Sequence, residues 1–579
     1  MMPLPPVFTN NDFAFIYPEA FMNFAVSSRL LILILLFNLT PAQAEKPTED
    51  HIRKIQTAAI KHKKSPVAHW GFDPNDYTQW SSHSLRLIPV YTFGTKNGVP
   101  GYNLKSYKGK NSPYRDEKKL EAIYGFLPEN TLNPKAKYLD QTNLYDIQEA
   151  ALKAGKKNII LFVFDGMDWQ TTRAAALYYN AADKYNSGRG TGFHFQDYTA
   201  DGTSQFGYMV TAPHNDGSNV DVNGQRVLNA GGKMRGGYNA KKGGSNPWTA
   251  GNDKKYLIGS PGNKYGEHAY PDSANTATSM TAGIKSYNNA INVDPNGAPV
   301  ATIAHEAQEK GYSVGVVTSV PITHATPAAT YAHNVSRNDY QDLARDLLGQ
   351  TSISHPEQAL PGMDVVLGGG FGTMEKPTGG KSHGKNFVPG WKYISEETIN
   401  KADVKQGGKY TVALRTPQVK GKDGLKQATD AAIKNKTRLL GVYGVEKYAA
   451  HLPYQTANGD YQPAPGLKNS SEVYSESDIA ENPTLADMTE SALSVLSQNK
   501  QGFWLLVEAG DVDWANHDNN LDNAIGAVKS GDDAFKVITD WVEKNSNWDE
   551  TLVILTADHG HYLNIDQPEA LIPPKKEAK

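Results

Sequence analysis

Four short apolar runs, Asn158–Phe164, Val314–Val320, Phe503–Val507 and Thr551–Ala557, each lead into a residue type that binds metal or phosphate. The residues that follow are Asp165, His324 with Thr326, Glu508, and the adjacent pair Asp558-His559. Unbroken apolar runs of this length predict strands covered on both faces, the pattern of parallel strands in an α/β sheet. In such a sheet ligands gather beyond the carboxyl ends of the strands. One strand ending in a carboxylate is common. Four ending in acidic, imidazole or hydroxyl groups predict one shared polynuclear metal site.

The rest of the chain is consistent with that fold class. Its 579 residues suffice for one large α/β domain with insertions or for several smaller domains. The formal net charge of −3 gives no field that would draw nucleic acid. The chain has no cysteine, so it forms no disulfide or thiolate zinc site, and a metal must be held by His, Asp, Glu and hydroxyl groups. At the N-terminus, Arg29 precedes the apolar stretch Leu30–Leu39, and Pro41-Ala42-Gln43-Ala44 follows. This order of charge, apolar core and small residues predicts a cleaved secretory signal over residues 1–44, with Met22 as an alternative start. The expected location is therefore periplasmic or secreted, with no membrane contact after cleavage.

Along the mature chain, residues 45–145 read as a polar N-terminal segment with one strand-like stretch, Leu85–Phe93. Residues 146–579 read as the core, in which strands alternate with helices such as Ile303–Lys310 and Pro483–Ser497. Gly-, Asn- and Lys-rich stretches near 201–266 and 372–410 read as surface insertions, and Asp364–Leu367 as a short strand closed by Gly368–Gly370. The predicted fold class is α/β, a large mostly parallel central sheet flanked by helices.

A nucleophile is written into Asp272-Ser273-Ala274-Asn275-Thr276-Ala277-Thr278, which opens a helix-competent stretch ending near Gly283. Ser273 falls at or beside the N-cap, where unpaired N–H groups and the helix dipole favour an anion. Glu508, Asp513 and His517 are spaced by five and four residues, so that Asp513 and His517 share one helical face.

These motifs together resemble the alkaline phosphatase family over roughly residues 158–562. The resemblance is carried by Val163-Phe164-Asp165-Gly166-Met167, the Asp272–Thr278 stretch, His324-Ala325-Thr326-Pro327-Ala328, Val507-Glu508-Ala509 with Asp513 and His517, and Thr556-Ala557-Asp558-His559. It implies two zinc ions and one magnesium. One zinc takes Asp513, His517 and one further His. The other takes Asp165, Asp558 and His559 and touches Ser273. The magnesium takes Asp165, Thr326 and Glu508. Arg337 is the implied phosphate clamp, oriented by Asp272, and His561 the implied support of a zinc ligand. His324 stands where some members have Asp and others share the His, which the resemblance places beside the magnesium ligands. Trp514 stands next to the zinc-binding Asp513, where some have Lys.

A larger departure concerns the third ligand of the Asp513/His517 zinc, which the family places well downstream of the Asp-His pair. Eighteen residues follow His561 and none is His. A similar segment, His83-Ser84-Leu85-Arg86-Leu87-Ile88-Pro89-Val90-Tyr91-Thr92-Phe93-Gly94, stands near the other end. The expectation is that the family's last strand comes first here, as in a circular permutation, and that His83 completes the zinc set.

The expected activity is hydrolysis of small phosphate monoesters through a phosphoserine. Two alternatives stand beside it: a phosphodiesterase or sulfatase of the same superfamily, and a non-catalytic metal- or phosphate-binding homologue. Ser273 lacks the Cys/Ser-x-Pro-x-Arg setting that sulfatases need. No interface signal decides whether the chain forms a homodimer.

Overall fold

The apolar runs become the middle of one sheet. The computed structural model describes residues 50–77, 80–95, 101–258, 268–376, 382–468 and 471–574. The expected leader lies outside these residues. No described helix is long and apolar enough to cross a membrane. The main sheet has ten strands. In chain order they are β1 (Ile88–Phe93), β2 (Leu139–Asp140), β3 (Asn158–Phe164), β4 (Gln205–Val210), β5 (Ser313–Pro321), β6 (Val365–Gly369), β7 (Tyr410–Leu414), β8 (Arg438–Val442), β9 (Phe503–Ala509) and β10 (Thr551–Ala557).

Across the sheet the order is β7-β8-β6-β5-β9-β3-β10-β1-β4-β2. The seven strands from β7 to β10 are mutually parallel. β1 alone opposes its neighbours, since it is antiparallel to both β10 and β4, and β2 again runs parallel to β4. Every residue of β3, β9 and β10 is buried, because helices cover both faces and leave no solvent side for a polar alternation.

Register then places the chemistry. Phe503 and Thr551 both pair with Asn158, and Ala509 and Ala557 both pair with Phe164. β3, β9 and β10 therefore end level, with strands about 4.8 Å apart. Asp165, Glu508 and Asp558 are thereby set side by side at one edge. β1 reaches that edge from its own N-terminal end, because it runs the opposite way. Just before it, Ser84 bridges to Gly560, and its N–H donates to the Gly560 carbonyl at 2.7 Å.

Five helices matter for the site: α1 (Trp169–Asn180), α2 (Ser273–Ala282), α3 (Tyr340–Leu348), α4 (Asp511–His517) and α5 (Leu521–Asn545). A further helix, Leu485–Leu496, buries Leu485, Met488, Leu493 and Leu496, the side its 3.6-residue period marks.

The sequence reading and the structure differ in four places. Gln205–Val210 lies inside the stretch read as a surface insertion, yet it is β4 of the main sheet. Six residues, three buried and three half-buried, are a weak signal inside a Gly- and Asn-rich stretch. The 372–410 stretch contains the helix Glu396–Ala402, and β6 runs on through Gly369 instead of turning at Gly368. The N-terminal segment holds the helices His51–His62 and Glu117–Tyr124 beside its strand.

Gly94 ends β1 where the chain must pass close to β10. Its φ is +79°, and a Cβ there would stand 1.9 Å from the carbonyl oxygen of Thr551. Gly94→Ala is expected to cost about 1–3 kcal/mol. The check is a lower urea midpoint with an unchanged m-value.

Candidate metal and phosphate site

Ser273 is the first residue of α2. Asp272 caps that helix in an extended conformation (φ −114°, ψ 164°), its Oδ1 accepting from the Asn275 N–H at 3.0 Å. The cap points the free N–H groups of the first turn, and the Ser273 hydroxyl, towards the strand ends. Ser273 Oγ lies 3.1 Å from His559 Nε2 and 3.4 Å from Asp165 Oδ1.

Around it the structure brings together all the residues expected at the site. Asp165, Asp558 and His559 converge, with His559 Nε2 at 3.3 Å from an oxygen of each carboxylate. Asp558 is fixed from several sides. Its Oδ1 accepts from the Gly166 N–H at 3.0 Å and its Oδ2 from the Thr276 hydroxyl at 2.9 Å.

His83, Asp513, His517 and His561 form a second convergent group. His83 Nδ1 donates to the Pro271 carbonyl at 2.7 Å, and His517 Nδ1 donates to the Ser81 carbonyl at 2.9 Å. A carbonyl only accepts, so each Nδ1 carries a proton and each ring turns its Nε2 to the shared group. There, against the lowering effect of burial, Asp513 raises His83 above its ordinary value. Those two Nε2 atoms are 2.9 Å apart, and each is 3.5 Å from Asp513 Oδ1. His561 Nε2 donates to the same Asp513 oxygen at 2.6 Å, which makes His561 the residue that orients Asp513.

A third group is defined by oxygens with nothing to bond. Asp165 Oδ2, Thr326 Oγ1 and Glu508 Oε1 are buried and have no hydrogen-bond partner among the described residues. The other Glu508 oxygen accepts from the Thr318 hydroxyl. Orphaned buried oxygens are costly, and a hard divalent cation is the partner that suits three of them.

The electrostatics agree with that donor chemistry. Burial, then the charges of Asp513, Asp558 and Glu508, push the Asp165 carboxyl well above the usual carboxylate range. Burial pushes Glu508 up to about 8 and also raises Asp558. Burial would raise Asp513 as well, but His517, His561 and His83 hold it well below its ordinary value. Burial lowers His517 to about 3 and lowers His559, so both rings are neutral and able to ligate. The ligand atoms thus fit divalent cations, with imidazole and carboxylate donors in two groups and oxygens alone in the third.

Arg337 enters from the segment after β5. Its Nη1 donates to Asp272 Oδ2 at 3.1 Å and its Nη2 to His324 Nε2 at 3.3 Å. Burial, with Arg337 beside it, lowers His324 to about 3, so the ring is neutral and accepts. Trp514 stands edge-on to His324, with ring centres 5.5 Å apart. Ser273, Arg337, His324, Trp514, His83 and His517 line one cleft of about 600 Å³.

Several supporting residues escape a reading of the sequence. Gly166 has φ +72°, and a Cβ there would lie 2.8 Å from both Asp513 Cα and His561 Nε2. Arg86 Nη1 donates to Asp168 Oδ2 at 2.7 Å and to the Leu563 carbonyl at 2.9 Å. Asp168 also caps α1 and accepts from the Tyr562 N–H at 3.2 Å. This buried pair ties the approach to β1, which carries His83, to the turn that carries His561. The available signal was the lone Arg86 between Leu85 and Leu87, since a charge in an apolar run needs a partner.

A level row of parallel strand ends, with three groups of candidate ligands around a serine at a helix start, makes a candidate polynuclear metal site on an α/β sheet. The chain belongs to the alkaline phosphatase family, whose sequence profile matches residues 233–571. It is 33% identical over 291 residues to alkaline phosphatase 4 of Bacillus subtilis (strain 168), covering 50% of this chain and 49% of that protein. It is 30% identical over 320 residues to the alkaline phosphatase of Escherichia coli (strain K12), covering 52% of this chain and 60% of that one. The chain thus spans about half the length of the first of these relatives and somewhat more of the second. The crystal structure of a cold-active alkaline phosphatase from the psychrophile Shewanella sp. overlaps 70% of this chain and 68% of its own, at 24% identity and a TM-score of 0.40.

Asp168→Ala leaves Arg86 buried and unpaired and uncaps α1, at an expected cost of about 3–5 kcal/mol. Urea unfolding of the variant against the parent protein measures it.

Proposed function

We propose that this chain hydrolyses phosphate monoesters, with Ser273 as nucleophile. The observation that carries the reading is the position of Ser273 Oγ. It lies at the start of a ten-residue helix, 3.1 Å from His559 Nε2 and 3.4 Å from Asp165, in the cleft that Arg337 also lines.

Asp513, His517 and His83 would hold one zinc, Asp165, Asp558 and His559 the other, and Asp165, Thr326 and Glu508 the magnesium. Bound there, the cations supply Lewis-acid charge that favours the ionised serine and water and offsets charge on the leaving alcohol. The chain's own groups do the rest. The Arg337 guanidinium donates two parallel N–H groups to non-bridging phosphoryl oxygens. Asp272 holds that fork in place while capping α2. Ser273 Oγ attacks phosphorus, its bond to phosphorus forms as the bond to the ester oxygen breaks, and the alcohol leaves with a proton. The N–H groups at the start of α2 face the anionic phosphoserine. A water then attacks phosphorus from the vacated side, which frees phosphate and returns the proton to Ser273.

His83 is the part of this reading peculiar to the chain. β1 stands next to β10, and its approach carries His83 to Asp513 and His517. This supports the idea that a strand the family places last comes first here. The proposal also includes export by cleavage of the leader at residues 1–44, with residues 146–579 as the catalytic core.

Ser273→Ala tests the nucleophile. Turnover of a chromogenic phosphate monoester is expected to fall on the order of 10⁴-fold or more, with metal content unchanged. Parent-level turnover would end the reading. Preference for a diester or a sulfate ester would favour the superfamily alternative, and no turnover by the fully metal-loaded parent would favour a binding protein.

His83→Ala is expected to lose about one zinc per chain and most of its turnover. Elemental analysis and the same assay read both. Parent values in both would remove His83 from the ligand set.

A further inference from the structure

A second pair of histidines joins the segment between Thr326 and Arg337, which carries His333, to the loop after α3, which carries His355, and the mechanism makes no use of it. His333 Nδ1 faces His355 Nε2 at 2.9 Å. This is the separation of the His83 and His517 Nε2 atoms in the candidate zinc set. The far nitrogen of His333 is also anchored in the same manner, donating to the Val300 carbonyl at 2.9 Å. That bond fixes the tautomer and leaves a lone pair on Nδ1. Asp346, from α3, completes the group, with its Oδ2 3.9 Å from His355 Nε2.

The surroundings call for a cation. Asp346 is fully buried, and its Oδ1 has no hydrogen-bond partner among the described residues. Its Oδ2 accepts from the His333 N–H at 3.0 Å. Of the two other fully buried carboxylates at the start of α3, Asp342 is paired with Arg345 at 3.4 Å and Asp339 accepts from the Gly384 N–H at 3.1 Å. No Lys or Arg among the described residues is paired with Asp346. Burial lowers His333 to about 4 and also lowers His355, so both rings are neutral. His333 is 5% exposed, whereas the His355 side chain is 18% exposed and gives the cluster a face to solvent.

We propose that His333 Nδ1, His355 Nε2 and Asp346 bind one borderline divalent transition cation, for which zinc is the fitting choice, separately from the catalytic set. Two imidazoles and a carboxylate are a nitrogen-rich donor set, which suits zinc over magnesium or calcium. Metal–nitrogen bonds of about 2.0–2.1 Å would close an angle of roughly 90° across the present separation, so the rings need part by only a few tenths of an ångström to become tetrahedral. Water from the exposed side fills the remaining position. The bound ion joins the loop after α3 to the stretch that delivers Arg337, four residues beyond His333. Its role is to hold that stretch, and the chemistry proceeds elsewhere.

The experiment uses the full chain loaded with zinc and magnesium and freed of loose metal. Crystals measured at the zinc edge are expected to show an anomalous peak between His333 Nδ1 and His355 Nε2, besides those at the catalytic set. His355→Ala is expected to contain about one zinc per chain fewer than the parent. Asp346→Asn, equal in size, gives the same count if His355→Ala folds poorly. Absence of the peak, or equal zinc in parent and variants, would overturn the proposal and leave the two rings joined by a simple hydrogen bond.

Discussion

Asp165, Glu508, Asp513 and Asp558 sit in one small volume, and none is more than 2% exposed. Everything else about the site follows from the need to make that concentration of negative charge tolerable. An isolated buried carboxylate is strongly disfavoured, and four neighbours are worse. The chain answers partly with its own hydrogen bonds. Thr276, Thr318, the Gly166 N–H and His561 each take one carboxylate oxygen. The oxygens left over on Asp165 and Glu508, with the Thr326 hydroxyl, point to cations as the remaining answer. This is why the site reads as a metal centre and not as a set of ordinary salt bridges.

The sheet makes the concentration unavoidable. Level ends of β3, β9 and β10 set neighbouring carboxylates at strand spacing, and Asp165, Glu508 and Asp558 are all fully buried there. The helices supply what strands lack. α2 presents Ser273 with a favourable dipole, and α4 presents Asp513 and His517 one turn apart. The Arg86–Asp168 pair then locks the two loops bearing His83 and His561 against each other. A buried pair of this kind gives position more than net stability.

Much of the site is legible in the order of the residues. Strand ends, helix cap and the Asp513/His517 spacing are local patterns, and each falls where its period places it. Local patterns are weaker where the partner is distant. β4 is short and half-buried, and its place in the sheet depends on β1, which precedes it by more than a hundred residues. His324 reads as a neighbour of the magnesium site, while its ring nitrogen meets Arg337. The His333–His355 pair leaves no sequence signal, because neither histidine follows a strand or shares a helix face with the other.

The sequence by itself determined the donors: which carboxylates, which imidazoles and which hydroxyl stand at strand ends and helix starts. Apolar runs and capping residues act over a few neighbours and leave a trace in order and spacing. Only the tertiary structure decided which donors meet. The placement of His83 beside His517 rests on β1 lying antiparallel to β10, a pairing of segments more than four hundred residues apart. Backbone hydrogen bonding between such strands is the same for any side chain, so their register is fixed by the packing of the whole sheet and cannot be seen in either segment alone.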